Sequence, residues 1–114
     1  MVIAHGSRAK ETEAALDSVV ASARKKTGDA IIETAFMEFS GRTVEKGVSA
    51  LALKGVDEIR VVPYFLFMGV HMKKDIPEMV AKCAAAYPNV KITMGEPIGA
   101  DERLSDILAD RITR

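Results

Sequence analysis

Cysteines, excess charge of one sign and long apolar runs are scarce in this chain, and each absence excludes a class of protein. One cysteine, Cys83, leaves no intrachain disulfide, which fits a reducing compartment. Lys plus Arg and Asp plus Glu number 16 each, so no surplus of positive charge favours nucleic acid. No apolar run approaches the roughly 20 residues of a membrane span, and the first residues lack the pattern of a signal peptide. We therefore expect a cytoplasmic protein with no nucleic-acid or membrane partner.

The residues that are present indicate one ordinary globular domain. The chain has 114 residues, of which 48% are hydrophobic and 28% are charged. A chain of this length buries roughly 65% of the surface of its unfolded form, which is enough for a hydrophobic core. We expect a single domain over residues 1–114.

Apolar patterning predicts strands that alternate with helices. Four short apolar runs are predicted strands: Val2–Ala4, Ala30–Met37, Glu58–Pro63 and Val90–Met94. Helical stripes follow each of them, led by Leu16, Val44, Ile76 and Leu104. Tyr64 to Lys74 is predicted to be a long apolar loop. Asp75, Pro77 and Glu78 resemble a capped helix start, and Asp101 is predicted to open the last helix.

This order predicts an α/β fold of flavodoxin-like, three-layer type. Regular alternation implies a parallel sheet with helices on both faces. The β-branched run in 58–63 favours a strand that is buried on both sides. Right-handed crossovers favour the strand order 2-1-3-4, which has one topological switch point, between the first and third strands. Ligands of such sheets bind beyond the carboxyl ends of the strands at that point.

The only two histidines, His5 and His71, fall beside this predicted crevice. His5 directly follows the first strand, and His71 lies in the loop after the third. We predict that they meet at one functional site. A neutral imidazole binds transition metals and also accepts a proton near neutral pH. Two histidines are too few for a closed structural zinc site, so we expect an open and transient metal site, with Glu38 as a candidate third ligand.

Two further features border the predicted crevice. The loop 64–72 is unusually apolar, and either packs into the core or forms a wall for a flat ligand or a partner subunit. Phe65 and Phe67 are expected to face one way and Leu66 and Met68 the other. Cations lie just after strand ends, where helix N-termini disfavour them, which favours an anionic ligand. These cations are Arg8, Lys10, Arg42, Lys73 and Lys74.

With these residues in place, the chain resembles the short form of the sirohydrochlorin chelatases, the CbiX-type family. The resemblance is carried by Ala4-His5-Gly6-Ser7-Arg8, by residues 35–40 (Ala-Phe-Met-Glu-Phe-Ser), by residues 61–71 (Val-Val-Pro-Tyr-Phe-Leu-Phe-Met-Gly-Val-His), by residues 74–78 (Lys-Asp-Ile-Pro-Glu), and by residues 96–103 (Glu-Pro-Ile-Gly-Ala-Asp-Glu-Arg). These stretches span nearly the whole chain in the family's order. The last of them and Glu-Phe-Ser are most like archaeal members that handle cobalt or nickel.

The resemblance implies an enzyme that inserts Co²⁺, Ni²⁺ or Fe²⁺ into sirohydrochlorin or its amidated derivative without ATP. His5 and His71 match the family's two active-site histidines. The resemblance also implies a homodimer with the macrocycle between its subunits. The metal is then a substrate, and no permanent cofactor is expected. The substrate-binding set implied is Ser7, Arg8, Arg42, Phe65, Phe67, Met68, Gly69, Val70, Lys73 and Lys74.

Two other functions remain as alternatives. A histidine phosphatase also has His-Gly after a strand, but that chemistry calls for an arginine just before the histidine, where this chain has Ala4. The other alternative is a carrier that binds a metal or a tetrapyrrole without turnover. An assay of metal insertion separates a carrier from an enzyme.

Overall fold

The computed structural model describes all residues 1–114 and contains a four-stranded parallel sheet in the order β2-β1-β3-β4. No helix combines the length and the apolar content needed to cross a membrane. The predicted α/β fold and strand order are confirmed. The elements are β1 (Val2–Ala4), α1 (Glu11–Arg24), β2 (Thr34–Phe36), α2 (Val44–Leu53), β3 (Glu58–Pro63), α3 (Val70–Ala86), β4 (Lys91–Met94) and α4 (Arg103–Thr113).

The register of the sheet brings the carboxyl ends of three strands to one level. Ala4 of β1 pairs with Phe36 of β2, and Ile3 pairs with Pro63 of β3. The Tyr64 amide continues this ladder by donating to the Ile3 carbonyl at 2.7 Å. The segments that leave β1, β2 and β3 therefore emerge side by side, with the switch point between β1 and β3.

Two apolar clusters hold helices against opposite faces of the sheet. The larger one joins Val48 of α2 and Ile76 of α3, both fully buried, to Ile3, Ala35 and Val61 of the strands. The smaller one joins Leu16 and Val20 of α1 to Ala4 and Phe36. The face covered by α2 and α3 thus holds most of the core.

Two strands are shorter than predicted. β2 covers Thr34–Phe36 rather than Ala30–Met37, and Ile31 is half exposed. The reason is that β1 has three residues, so a longer β2 would find no ladder partner there. β4 begins at Lys91 rather than Val90, a difference of one residue.

The prediction that β3 is buried on both faces is wrong. Ile59, Val61 and Pro63 are buried, whereas Glu58 and Arg60 are exposed. This alternation belongs to a strand with one covered face.

The last helix explains the uncovered face. Its apolar stripe predicts a buried face, but α4 buries no residue. Ile107, Leu108 and Ile112 are all more than half exposed. The radius of gyration is accordingly 14.8 Å, against about 13 Å for a compact domain of this size.

The third helix begins earlier than predicted. The motif from Asp75 to Glu78 does not start it; α3 starts at Val70, and Pro77 lies inside it. Gly69 is the extended N-cap, and its carbonyl accepts from the Lys73 amide at 3.0 Å. Pro77 removes one helical hydrogen bond. The helix nevertheless continues because Ile76 and Val80 are buried in the main cluster on either side of it.

Candidate metal and substrate site

The candidate site lies at the carboxyl edge of β1, β2 and β3, where the sequence places its chemistry-bearing residues. His5 is the first residue after β1, Glu38 is the second after β2, and His71 lies in the first turn of α3, eight residues beyond Pro63. Since β1 lies between β2 and β3, the loops that carry these three residues leave the sheet as neighbours.

His5 is held from both sides of its ring. Its Nε2 atom lies 2.9 Å from Oε1 of Glu38, and its Nδ1 atom lies 3.1 Å from the Gly6 carbonyl oxygen. Both partners are hydrogen-bond acceptors, and a neutral imidazole carries one N–H. The Nε2 atom is thereby directed at the Glu38 carboxylate, at the distance of a hydrogen bond.

The backbone around this pair is built for a close approach. The Glu38 amide donates to the His5 carbonyl at 3.0 Å, and the Met37 amide donates to the Ala4 carbonyl at 2.9 Å. Gly6 has a φ of 97°, and a Cβ atom there would overlap the Glu38 carbonyl oxygen. A glycine after the histidine is thus what lets the Glu38 loop lie against β1. The juxtaposition of His5 and Glu38 is specified by backbone contacts as well as by charge.

His71 lies on a different element from the one predicted. It was placed in a loop, but it is the second residue of α3 and is exposed. Being in a helical turn gives it a fixed direction, and Gly69 and Val70 precede it as the N-cap and first helical residue. The prediction that His5 and His71 act on one metal remains a prediction.

The apolar loop after β3 divides in an unexpected way. Phe65 and Met68 pack against the main core cluster, whereas Leu66 and Phe67 are exposed, the latter at 85%. The predicted pairing of Phe65 with Phe67 on one side is therefore wrong. The loop is not a strand, so its side chains do not alternate with a period of two.

The exposed part of this loop faces α4. Leu66 and Phe67 line a groove of about 620 Å³ together with Leu104, Ile107 and Leu108 of α4. Its walls are mostly apolar and open to solvent. One half of the loop thus contributes to the core, and the other half offers an apolar surface. That this surface meets a ligand or a partner subunit remains a prediction.

The predicted cations differ in whether other side chains already contact their charged groups. Lys73 and Lys74 are exposed in α3, and the Arg8 guanidinium lies 4.9 Å from the centre of the Phe39 ring. Ser7 accepts a hydrogen bond from the Ala9 amide at 3.0 Å, which leaves its own O–H to donate elsewhere.

Arg42 is the exception among these cations. Its guanidinium bonds Glu13 at 3.0 Å and Asp17 at 2.9 Å, both on α1. The hydrogen bond to Asp17 is the main reason that the pKa of Arg42 is raised. Because its charge is neutralised inside the subunit, we do not carry Arg42 into the substrate-binding set.

No three or more His, Cys, Asp or Glu side chains are grouped so as to hold a metal ion. His5 and Glu38 form a pair of donors that are each about half exposed. A resident structural metal usually has four protein ligands. A two-donor, solvent-open arrangement suits a metal that arrives and leaves.

Comparison with known proteins decides the family. The model of the CbiX family matches residues 1–114. The chain belongs to the CbiX family. It is 36% identical over 114 residues to the sirohydrochlorin cobaltochelatase of Sulfurisphaera tokodaii, covering 98% of this chain and 88% of that one. It is 38% identical to the sirohydrochlorin ferrochelatase of Priestia megaterium over 98% of this chain but 42% of that protein.

Solved structures agree with this assignment. The sirohydrochlorin chelatase SirB from Bacillus subtilis subspecies spizizenii, in complex with cobalt, superposes with a TM-score of 0.89 at 32% identity. The match covers 98% of this chain and 48% of that one. A CbiX protein from Marinobacter aquaeolei has a TM-score of 0.72 at 30% identity, with 91% of its chain covered. This CbiX chain thus spans about half the length of its long relatives and nearly all of its short ones.

Sequence reasoning missed two parts of the site. Phe39 has a positive φ of 61°, rare for a bulky residue, and stacks under Arg8 beside Glu38. Glu13 and Asp17, which both lie on α1, form ion pairs with the Arg42 guanidinium. Their spacing of four residues on a helix was a readable signal, since it puts both carboxylates on one helix face.

Proposed function

We propose that this CbiX chain inserts a divalent metal, Co²⁺ or Ni²⁺ and also Fe²⁺, into sirohydrochlorin or its amidated derivative, without ATP. The chain spans less than half of the ferrochelatase that it matches, so this activity is our proposal for the chain itself. Its length agrees with that of the cobaltochelatase from Sulfurisphaera tokodaii, which it covers almost completely.

One observation carries the proposal: the contact between His5 Nε2 and Glu38 Oε1 at the carboxyl ends of β1 and β2. An imidazole and a carboxylate at 2.9 Å can share a proton or a divalent cation. With two donors and half-exposed side chains, the pair binds such a cation weakly enough to release it. Weak binding is what a chelatase needs, since its metal is a substrate.

The mechanism follows from this pair and from His71. Metal insertion requires two pyrrole N–H protons to leave the macrocycle while the metal exchanges its water ligands for ring nitrogens. His5 and Glu38 take up the metal, which displaces the proton they share. His71, on the first turn of α3, holds the metal with them, and as the metal passes to the ring nitrogens the freed imidazoles of His5 and His71 accept the two pyrrole protons. Each histidine thus serves first as a metal ligand and then as a proton acceptor, and the ring takes the metal as it loses its protons.

The surroundings of the pair suit a flat, anionic macrocycle. Sirohydrochlorin carries several carboxylates around an apolar ring. Arg8, Lys73 and Lys74 are exposed and available to its carboxylates. Phe67, Gly69 and Val70 offer apolar contacts to its ring, and Ser7 a hydrogen bond. Phe65 and Met68 support that surface from the core side.

We also propose that two copies of the chain form the working enzyme, with the macrocycle between them, in the cytoplasm. The apolar stripe of α4 and the groove beside Phe67 are uncovered in one subunit. The long relatives have about twice the length of this chain, so a second copy would supply what their other half supplies.

The test is the rate of metal insertion. Sirohydrochlorin is incubated with Co²⁺ or Ni²⁺, with and without the protein, and the change in absorbance of the macrocycle is followed. The proposal predicts a rate well above that of the uncatalysed control. A protein that binds Co²⁺ or the macrocycle but leaves the rate at the control value is a carrier, and the enzyme proposal is then wrong.

The choice of metal and macrocycle needs a second experiment. Imidazole and carboxylate donors accept Co²⁺, Ni²⁺ and Fe²⁺ alike, and affinity alone does not determine use in the cell. Competition between the metals, run with both the free and the amidated macrocycle, identifies the preferred pair. We expect Co²⁺ or Ni²⁺ to be inserted faster than Fe²⁺.

A further inference from the structure

Arg42 makes more contacts through its side chain than any other arginine in the chain. Its Nε and Nη1 atoms bond Glu13 and Asp17 on α1, and Nη1 also donates to Oγ1 of Thr34 at 3.0 Å. Its Cζ atom lies 5.0 Å from the centre of the Phe36 ring. One guanidinium therefore ties α1 to the whole length of β2, since Thr34 and Phe36 are its first and last residues.

The backbone of Arg42 closes the loop that carries Glu38. Its carbonyl accepts from the Phe36 amide at 2.8 Å, and its own amide donates to Oγ of Ser40 at 3.0 Å. Thr43, the next residue, forms an isolated bridge with Phe36. Residues 37–41 thus leave and return at one neck, which is formed by Phe36 and Arg42.

The two segments that meet at Arg42 are those that carry the metal-binding pair. The neck holds Glu38, whose amide and carboxylate both contact His5. On the other side, α1 is connected to His5 by the short segment 6–10. Any movement of the neck relative to α1 would change the distance between the His5 ring and the Glu38 carboxylate.

We propose that Arg42 is a positioning residue, which holds Glu38 against His5 by clamping the neck of the 37–41 loop to α1. It touches neither the metal nor the macrocycle. The proposal rests on the proposed function only for its effect on metal binding; the geometry of the pair can be tested without a metal. Residues that orient metal ligands from outside the ligand set typically change metal affinity by about 10- to 100-fold.

A purely structural role for Arg42 would predict a different pattern. In that case its loss would lower the stability of the α1–β2 packing and leave the pair unaffected. Arg24 offers a matched control, because it joins α1 to the segment before β2 through a 2.9 Å bond from Nη2 to the Ile32 carbonyl. It lies in the last turn of α1, at the end away from Arg42 and its loop.

The experiment compares Arg42→Met with Arg24→Met, and both with the wild type. Two readouts are used: the hydrogen-exchange rate of the Glu38 amide, and the affinity for Co²⁺ alone, measured by calorimetry. We expect Arg42→Met to speed Glu38 exchange at least 10-fold and to weaken Co²⁺ binding about 10-fold. Arg24→Met should change both by less than twofold. Arg42→Lys, which keeps the charge near Asp17, should recover part of each loss and covers the case in which the methionine variant does not fold.

A double variant decides whether Arg42 acts through Glu38. In a Glu38→Gln background, adding Arg42→Met should lower Co²⁺ affinity by less than twofold further, because the group that Arg42 positions is already altered. Equal losses in both backgrounds, or unchanged Glu38 exchange in Arg42→Met, would overturn the proposal. If the wild type binds no Co²⁺, the metal-binding part of the proposed function fails, and the exchange rates alone decide the role of Arg42.

Discussion

Replacing Gly6 by alanine gives the sharpest perturbation of the site. An alanine Cβ there would overlap the Glu38 carbonyl oxygen and lie 3.1 Å from its carbonyl carbon. The residue also has a φ of 97°, which costs a side chain about 1–2 kcal/mol. Relief of the overlap requires the backbone to move, which typically adds about 1–3 kcal/mol. The free energy of unfolding should therefore fall by about 2–5 kcal/mol, a drop in Tm of roughly 10–20 °C.

The Gly6→Ala substitution should also lower the rate of metal insertion. A shift of the Glu38 backbone loosens its amide bond to His5 and moves the carboxylate away from Nε2. We expect the rate of Co²⁺ insertion to fall at least 10-fold at a temperature where the variant is still folded.

Gly55→Ala is the matched control for this variant. Gly55 has a φ of 80° but nothing within 4 Å of an added Cβ. The free energy of unfolding of Gly55→Ala should therefore fall only by the backbone strain, about 1–2 kcal/mol, and the variant should keep its activity. Thermal unfolding and the insertion assay measure the two effects. If Gly6→Ala is no less stable than Gly55→Ala and retains the full rate, the close approach of Gly6 to Glu38 does not shape the site.

Three further predictions concern the histidines, the α4 stripe and the carboxyl group of Asp101. His5→Ala and His71→Ala should each slow metal insertion at least 10-fold with little change in Tm, because both side chains are exposed; full activity in both variants would refute their assignment. Leu108→Glu should shift the protein toward monomer in analytical ultracentrifugation, whereas Leu53→Glu, at a more exposed leucine on α2, should leave the association unchanged; the same effect from both would argue against α4 as the interface. Hydrogen bonds from Arg103 hold the pKa of the Asp101 carboxyl well below its usual range. The ionised carboxylate therefore stabilises the fold at pH values above the usual pKa, and this stabilisation is lost as the pH falls and acid protonates the group. The Tm of the wild type should therefore exceed that of Asp101→Asn at about pH 7 and the difference should shrink in strong acid; a difference that grew on acidification would have the wrong sign.

The sheet could be predicted from the sequence because its signals are local. The β-branched residues of β3 give its exact bounds, and alternation of strands with helical stripes gives the order 2-1-3-4. That order alone brings the loops after β1 and β3 together, which is why the sequence predicts His5 as a site residue.

The errors arose where distant contacts override local patterns. Pro77 and Asp75 form a plausible helix start, but burial of Ile76 and Val80 carries the helix through the proline. The α4 stripe predicts burial, yet nothing in the same chain covers it. Arg42 sits among cations at a strand end, and only the fold shows that α1 supplies two carboxylates to it.

Glu38 lies between these cases. Its position after β2 was readable, but its contact with His5 depends on Gly6, whose positive φ admits the Glu38 backbone. The contact thus needs a β1–β2 register that no local pattern encodes. The contact between His5 and Glu38 is therefore known from the structure and not from the sequence alone.

The most direct test of the account is whether His5 and His71 bind the same metal ion. The chain has two histidines, so the imidazole region of its NMR spectrum contains two rings to assign. On addition of one equivalent of Co²⁺ per subunit, we expect two hyperfine-shifted ring N–H resonances that grow together, one of which is lost in His71→Ala. A single shifted resonance that is unaffected by His71→Ala would show that His71 does not share the metal of His5, and the two-histidine site would be wrong.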